Sequence, residues 1–283
     1  MKVASDGTST AYPNASWNDW EIGKPIDDSV FVAVQSVVAH ENIVYVLDTR
    51  NPLFQGVIDN PRIFAFDIES SKLVKTYILT ENSFYKESYI NDLRIDKKNS
   101  KMYLTDSGRA GLVIVDLNSG VSHRALDNHV STLAETDHLN FDGKKWSNTV
   151  HSDGIALDTK NDLLYYHALT GYNLYAVPTN ILIKGDEKIT QENVKLIAKT
   201  PAPDGMIFDE NGNVYLADLE HQKIMKLNVS SGEMKVFAEG NQIKWADTFS
   251  IHNDELYYTN SRINEAAGNI DTMVFDINKI SIQ

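Results

Sequence analysis

The stretch DGMIFDENGNVYLA, residues 204–217, opens on an acidic residue and runs through a short apolar segment to a polar turn at Glu210, Asn211 and Gly212. It ends in a second apolar segment carrying Tyr215. Four other stretches share this layout: QSVVAHENIVYVL (35–47), NDLRIDKKNSKMYLT (91–105), DGIALDTKNDLLYY (153–166) and DTFSIHNDELYYT (247–259). In every copy the first residue stands 10 to 12 positions before a Tyr, and successive copies start 56, 62, 51 and 43 residues apart. That is the period of a four-stranded propeller blade, lengthened in some copies by loop insertions.

The runs at 163–166, 214–216 and 256–259 are short, β-branched or aromatic, and bounded by Asp, Asn and Gly, which is how strands are punctuated. No sustained 3.6-residue period competes with them. A third strand follows in most copies, at 63–68, 112–117 and 224–229, each closed by a Ser-, Asn- or Gly-containing turn. Asp67, Asp116 and Asp276 are expected to end such strands as turn formers. The fold class expected is an all-β propeller forming one domain over residues 1–283.

Composition narrows the partners. The 283 residues include 26 basic and 39 acidic side chains, a formal net charge of −13, which repels phosphate backbones and anionic lipid. A small-molecule ligand is expected, with no nucleic-acid or membrane partner. No apolar run approaches the ~18 residues of a membrane-spanning helix. Cysteine is absent, so thiol catalysis, Cys-based zinc sites and disulfides are excluded. The first 20 residues lack the apolar core of a secretory signal. Gly-x-Ser-x-Gly, phosphate-loop, dinucleotide and His-Glu-x-x-His patterns are also missing, leaving serine-hydrolase, nucleotide and zinc-protease readings without support.

The segments SYINDLRID (88–96), YLTDSGRAGLVIVDLNSG (103–120), HSDGIALD (151–158), YYHALTGYNLYAVPT (165–179), DGMIFDENGNVYLADLEHQKI (204–224) and WADTFSI (245–251) resemble the major royal jelly protein and Yellow family. They are most similar to its bacterial branch, often labelled dopachrome-tautomerase-related. The resemblance implies a six-bladed propeller, usually in exported proteins, hence an extracellular or periplasmic location. Only five inner-strand copies are visible here. Residues 1–20 look like outer strands of a first blade whose inner strands have no counterpart. The expectation is therefore a six-bladed plan with an incomplete first blade; the alternative is a closed five-bladed ring.

In a propeller the inner strand of each blade starts beside the central axis, so Gln35, Asn91, Asp153, Asp204 and Asp247 are expected to converge as oxygen-bearing side chains. A more distant resemblance, to the six-bladed gluconolactonase and regucalcin propellers, implies a divalent metal held at such positions by a Glu, two Asn and an Asp. The matching residues are Gln35, Asn91, Asp153 and Asp204, with calcium the expected ion. The same Asp-Gly pairs also suit an ordinary turn whose carboxylate caps backbone N–H groups.

Gln35, Asp153, Asp247 and Trp245 are the expected ligand contacts, and His151 and Asp247 the candidate proton carriers. Asp48, Asp106 and Asp218 follow second strands and read as ties for the next turn. The insertion at 127–150, with His129, His138, Phe141 and Trp146, is expected to roof one end of the channel, and that at 180–199 to be a polar surface excursion. Three functions remain open. One is small-molecule binding, favouring a cation or amine. Another is metal-dependent lactone or ester hydrolysis or tautomerisation. The last is a protein-interaction scaffold.

Overall fold

The computed structural model describes residues 1–4, 6–266 and 270–282. Its strands are short because the sequence places a turn former every six or seven residues. β1 (Lys2–Val3) and β2 (Ser9–Thr10) pair with each other. A four-stranded antiparallel sheet follows, β3 (Val34–His40), β4 (Ile43–Asp48), β5 (Arg62–Asp67) and β6 (Leu73–Ile78), hydrogen-bonded in chain order. The next comprises β7 (Ile90–Asp96), β8 (Lys101–Asp106), β9 (Gly111–Asp116) and β10 (Ser122–Ala125). A hairpin, β11 (Leu139–Phe141) with β12 (Lys144–Trp146), precedes the third sheet, β13 (Ser152–Asp158), β14 (Leu163–Ala168), β15 (Asn173–Pro178) and β16 (Lys195–Lys199). Between β15 and β16 lie two short helices, α1 (Thr179–Leu182) and α2 (Glu187–Glu192). The fourth sheet is β17 (Met206–Phe208), β18 (Asn213–Asp218), β19 (Lys223–Asn228) and β20 (Met234–Glu239). The fifth has three strands, β21 (Ala246–His252), β22 (Glu255–Asn260) and β23 (Asp276–Ser281).

Among the described residues these are five propeller blades, which supports the five-bladed alternative rather than the six-bladed plan. Instead of the outer strands of a further blade, residues 1–20 form the β1–β2 ladder and a 3-10 turn at Ser16–Asn18. Trp17 of that turn packs edge-on against Phe64 and Phe66 of β5 at 5.0 and 5.1 Å between ring centroids. Two further corrections concern strand ends. Asp276 starts β23 rather than ending a strand, and the last part of the expected 180–199 excursion is β16, the outer strand of its blade.

The chain divides into two compact units. The first holds residues 1–109 and 113–124, the second residues 110–112 and 125–283. In the first, Tyr45, Leu47, Ile63, Leu93, Leu104 and Val113 are among the residues of one apolar core. In the second, Tyr215, Ala217, Trp245, Phe249 and Tyr258 belong to one core cluster and Ala156, Tyr165, Val214 and Leu216 to another. The middle strands β8, β9 and β18 are buried on both faces and read as continuous apolar runs, whereas the outer strands β6 and β20 carry exposed positions. Each fully buried Leu, Ile or Val stabilises the fold by about 1.5–3 kcal/mol relative to an exposed one.

Polar ties fix the turns. Asp96, Asp158 and Asp209 each close a strand and accept the side-chain amide of an Asn three or four residues on, at 2.7–2.8 Å. Asp67 and Asp116 hold Ser70 and Ser119 as expected of turn formers. Among the described residues no helix is long and apolar enough to cross a membrane.

Candidate ligand site at the inner-strand heads

Four of the five head positions sit in an irregularity of the ladder. The pairing register shifts between Val34 and Ser36, between Ile90 and Leu93, between Ser152 and Ile155, and between Ala246 and Phe249. Gln35, Asn91, Asp153 and Asp247 fall inside those shifts, and Asp204 lies just ahead of β17. A bulge re-aims the side chain it carries and leaves it outside the regular ladder, which is why bulges gather beside functional sites. The repeated polar residue is thus tied to a repeated backbone device.

In the first unit, Gln35 and Asn91 come together. The Gln35 Nε2 donates to Asn91 Oδ1 at 2.8 Å, and the Gln35 Oε1 accepts from the Tyr89 hydroxyl at 2.7 Å. Beside them Ser36 donates to Asp92, which also pairs with Arg94 at 2.9 Å. Tyr89 is stacked under the exposed ring of Phe54 at 4.3 Å. Both Leu53 and Phe54 have positive φ, near 54° and 56°, a region costly for side chains of that size.

Two carboxylates support these heads. Asp48, at the end of β4, accepts from the backbone N–H groups of Val32, Ala33 and Arg50 at 2.8–3.1 Å and pairs with the buried Arg50 guanidinium at 3.0 Å. Asp106, at the end of β8, accepts from Tyr89 N and Arg109 N and from Arg124 Nη1 at 2.7 Å. Each ties the segment that enters an inner strand, a wider role than tying the following turn. Asp218 differs: its Oδ1 is held by the His221 ring at 2.7 Å. Spacing pointed to the aspartates, but their arginine partners, 2 and 18 residues further on, follow no pattern legible in the chain.

In the second unit the heads of β13, β17 and β21 approach through glycine. A Cβ on Gly154 would meet the Met206 sulfur at 2.7 Å and the Asp204 carbonyl oxygen at 3.0 Å. A Cβ on Gly205 would lie 1.6 Å from the Asp247 carbonyl oxygen, and Gly205 N donates to Ala246 O at 3.2 Å. The Asp-Gly pairs are therefore points of close backbone approach, more than turns. They bring the segments of Asp153, Asp204 and Asp247 side by side, with Asp153 and Asp204 buried and Asp247 half-buried.

Trp245, 1% exposed, donates its Nε1–H to Asp204 Oδ2 at 2.5 Å. Phe141 stacks on it at 5.4 Å and Trp146 meets it edge-on at 5.0 Å. The β11–β12 hairpin of the 127–150 insertion thus covers Trp245, the donor to Asp204. His151 accepts from Ala134 N at its Nδ1 across 3.0 Å, so in the neutral ring the proton sits on Nε2, which is then a donor. His129 bonds Ser131, which bonds Tyr166, and His138 bonds Asp137. His167, which the sequence did not single out, is buried between Ala168 O and the Thr200 hydroxyl, and burial pushes its pKa down to about 4.

The donor chemistry can be tested against a divalent cation. Gln35 turns its NH₂, not its oxygen, toward Asn91 Oδ1, and flipping the amide would set two oxygens against each other and turn the NH₂ toward the Tyr89 hydroxyl. As placed, the two amides do not share a cation. Among the described residues no group of three or more His, Asp or Glu side chains is arranged to hold a metal.

These sheets and their bulged inner strands define a β-propeller of the all-β class. A solved structure titled "Crystal structure of Nidogen/Laminin Complex" matches it with a TM-score of 0.56 at 16% identity, over 89% of this chain and 76% of that one, a likeness that shows the fold. The family described as "Major royal jelly protein" matches residues 33–283, and the chain belongs to that family. Similar curated proteins come from the honeybee, Apis mellifera. Major royal jelly protein 7 is 24% identical over 70% of this chain and 47% of its own length. Major royal jelly protein 3 is 24% identical over 67% and 38%. Major royal jelly protein 6 is 23% identical over 77% and 53%. The chain spans about half the length of these relatives.

Proposed function

We propose that the protein binds a small cationic molecule, an organic amine, at the inner-strand heads of its second unit. The observation that carries this reading is the Asp153, Asp204 and Asp247 set, in which two of the carboxylates are buried and neighbouring heads are drawn together at Gly154 and Gly205. Carboxylates grouped on adjacent strands favour a positive charge between them. Trp245 is covered by Phe141 and Trp146, so its part is to orient Asp204 rather than to offer a ring face. Within the family we place the chain in the bacterial, dopachrome-tautomerase-related branch of exported proteins, on the segments quoted above.

Isothermal titration with tryptamine and tyramine tests the reading. Binding is expected, weakened at least tenfold, about 1.4 kcal/mol, by Asp204→Asn or Asp153→Asn. No heat with either amine would overturn it. The alternative is an enzyme for lactone or ester hydrolysis or tautomerisation, in which Asp153 and Asp204 would hold a calcium ion and Asp247 would carry a proton. Two carboxylates would supply oxygen donors to such an ion, the remaining ligands being left to water. One equivalent of metal on protein purified without chelator, lost in Asp204→Ala, would favour it over the amine.

A further inference from the structure

The inner-strand heads of the first unit, Gln35 and Asn91, are amides, where those of the second unit are carboxylates. The charges that follow Asn91 in the chain, Asp92 and Arg94, pair with each other at 2.9 Å. The amides are locked in place, since Gln35 bonds both Asn91 Oδ1 and the Tyr89 hydroxyl, yet part of their hydrogen-bonding capacity is unspent. Asn91 is only 8% exposed, but its Nδ2 donates to nothing among the described residues and is not fully enclosed. Gln35 keeps one Nε2 hydrogen and one Oε1 lone pair.

Beside the amides stands an aromatic platform. Phe54 stacks on Tyr89 at 4.3 Å with an interplanar angle of 21°, and it is 75% exposed, so its face away from Tyr89 is open to solvent. Leu53 and Phe54 both have positive φ, so the ring is presented at a cost to the backbone. Buried Asn51 enforces that turn, donating to Ser88 O and accepting from Gly56 N, each at 2.8 Å. Strain of this kind persists only where surrounding bonds over-determine it, and it gathers at ligand clamps.

We infer that Phe54, Tyr89, Gln35 and Asn91 form a saccharide site that takes one pyranose ring of a neutral sugar. The C–H face of the pyranose lies on the open face of Phe54, where the ring's quadrupole is negative. Vicinal hydroxyls, each both donor and acceptor, meet the N–H groups of Asn91 and Gln35 and the Gln35 oxygen. An uncharged set that mixes donors with an acceptor suits hydroxyls better than an anion or a cation. Platform and amides are contiguous, because the Tyr89 that Phe54 covers bonds Gln35 through its hydroxyl. The occupant differs in class from the amine assigned to the second unit.

The probes are methyl β-D-glucopyranoside, methyl β-D-galactopyranoside and adenosine, titrated against the full chain by saturation-transfer-difference NMR. Saturable binding of at least one glycoside is expected, with a Kd on the order of 1 mM and the strongest transfer at ring C–H groups. Phe54→Gly and Asn91→Ala are each expected to weaken it by about fivefold or more. Glycine suits the backbone at φ 56°, and urea unfolding verifies that both variants fold. Asp204→Asn, which weakens the amine site of the second unit, is expected to leave glycoside affinity within about twofold. Failure of both glycosides to bind below about 20 mM would overturn the inference. So would affinity unchanged in Phe54→Gly or Asn91→Ala, or lost in Asp204→Asn, either of which would place the sugar elsewhere. Tighter binding of adenosine, lost in Phe54→Gly, would overturn it in favour of a flat heteroaromatic ring.

Discussion

The backbone of Gly205 runs so close to Asp247 that a Cβ on the glycine would lie 1.6 Å from the Asp247 carbonyl oxygen. No side-chain rotation relieves that overlap, because the obstructing atom is backbone. Gly205→Ala therefore has to separate the heads of β17 and β21, breaking the Gly205 N to Ala246 O bond and displacing Asp204. At Gly154 the nearest obstacle is the flexible Met206 side chain. Gly205→Ala is expected to cost about 3 kcal/mol or more and Gly154→Ala less, in the ordinary overpacking range of ~1–3 kcal/mol. Urea unfolding of both variants checks the ranking; equal costs would refute it.

Trp245 and Asp204 offer a milder perturbation. Trp245→Phe keeps most of the apolar body among Phe141, Trp146 and Phe249 but removes the N–H that Asp204 Oδ2 accepts. A hydrogen bond to a charged acceptor contributes about 1.5–3 kcal/mol, so a loss in that range is expected from unfolding curves. Amine affinity should fall in parallel, because the carboxylate loses its orientation. A stable variant with undiminished binding would show that Trp245 has no part in positioning Asp204.

What the sequence could and could not show follows from range. Strands are local: apolar runs between Asp, Asn and Gly placed the third strands β5, β9 and β19 and the second strand β22 within a residue at each end, and marked β14 and β18 by their central residues, two short of their C-terminal ends. The heads Gln35, Asn91, Asp153, Asp204 and Asp247 were legible through their spacing from a Tyr. Blade count was not, because the family plan implied a sixth blade, whereas the described residues of 1–20 form only a two-stranded ladder and a 3-10 turn. Pairings between distant residues were equally hidden. Nothing near Gln35 announces Tyr89 as its donor, and nothing near Trp245 announces Asp204. The Asp-Gly pairs were visible, but their meaning depended on a carbonyl 42 residues away for Gly205.

Arg50 is fully buried, with its Nε 3.0 Å from Asp48 Oδ2 and its Nη2 donating to Val30 O at 3.1 Å. Burial lowers the Arg50 pKa, opposed by the Asp48 charge beside it. Arg50→Met keeps much of the volume but leaves the Asp48 carboxylate buried with only its backbone N–H donors. Breaking a buried pair from one side costs about 3–5 kcal/mol, and those N–H bonds place the expected loss near the lower end. Replacing both residues, Asp48→Asn with Arg50→Met, should recover part of it. A double-mutant cycle in urea gives the coupling, and additive losses would contradict the assignment.

The final expectation concerns pH. His167 on β14 lies beside Ala168 O at 2.6 Å and the Thr200 hydroxyl at 2.7 Å. A neutral ring satisfies both, donating from Nδ1 to the carbonyl and accepting at Nε2 from the hydroxyl. Burial is what lowers its pKa to about 4, from an unfolded value near 6.5. Between those values the unfolded chain binds a proton that the folded chain refuses. Its contribution is therefore fully present above about pH 6.5 and declines as pH falls toward about 4. Over the whole window the loss attributable to this ring is about 3 kcal/mol, of which about 2 kcal/mol falls between pH 6.5 and 5, before most carboxylates titrate. His129, also lowered by burial, adds a slope of the same sign. The diagnostic is therefore the difference between the wild-type protein and His167→Gln. Urea unfolding at half-unit steps from pH 7 to 5 should give a shallower slope in the variant, whatever its offset in stability. Parallel slopes would mean that His167 is protonated in the folded chain and that the Ala168–Thr200 cradle does not hold it neutral.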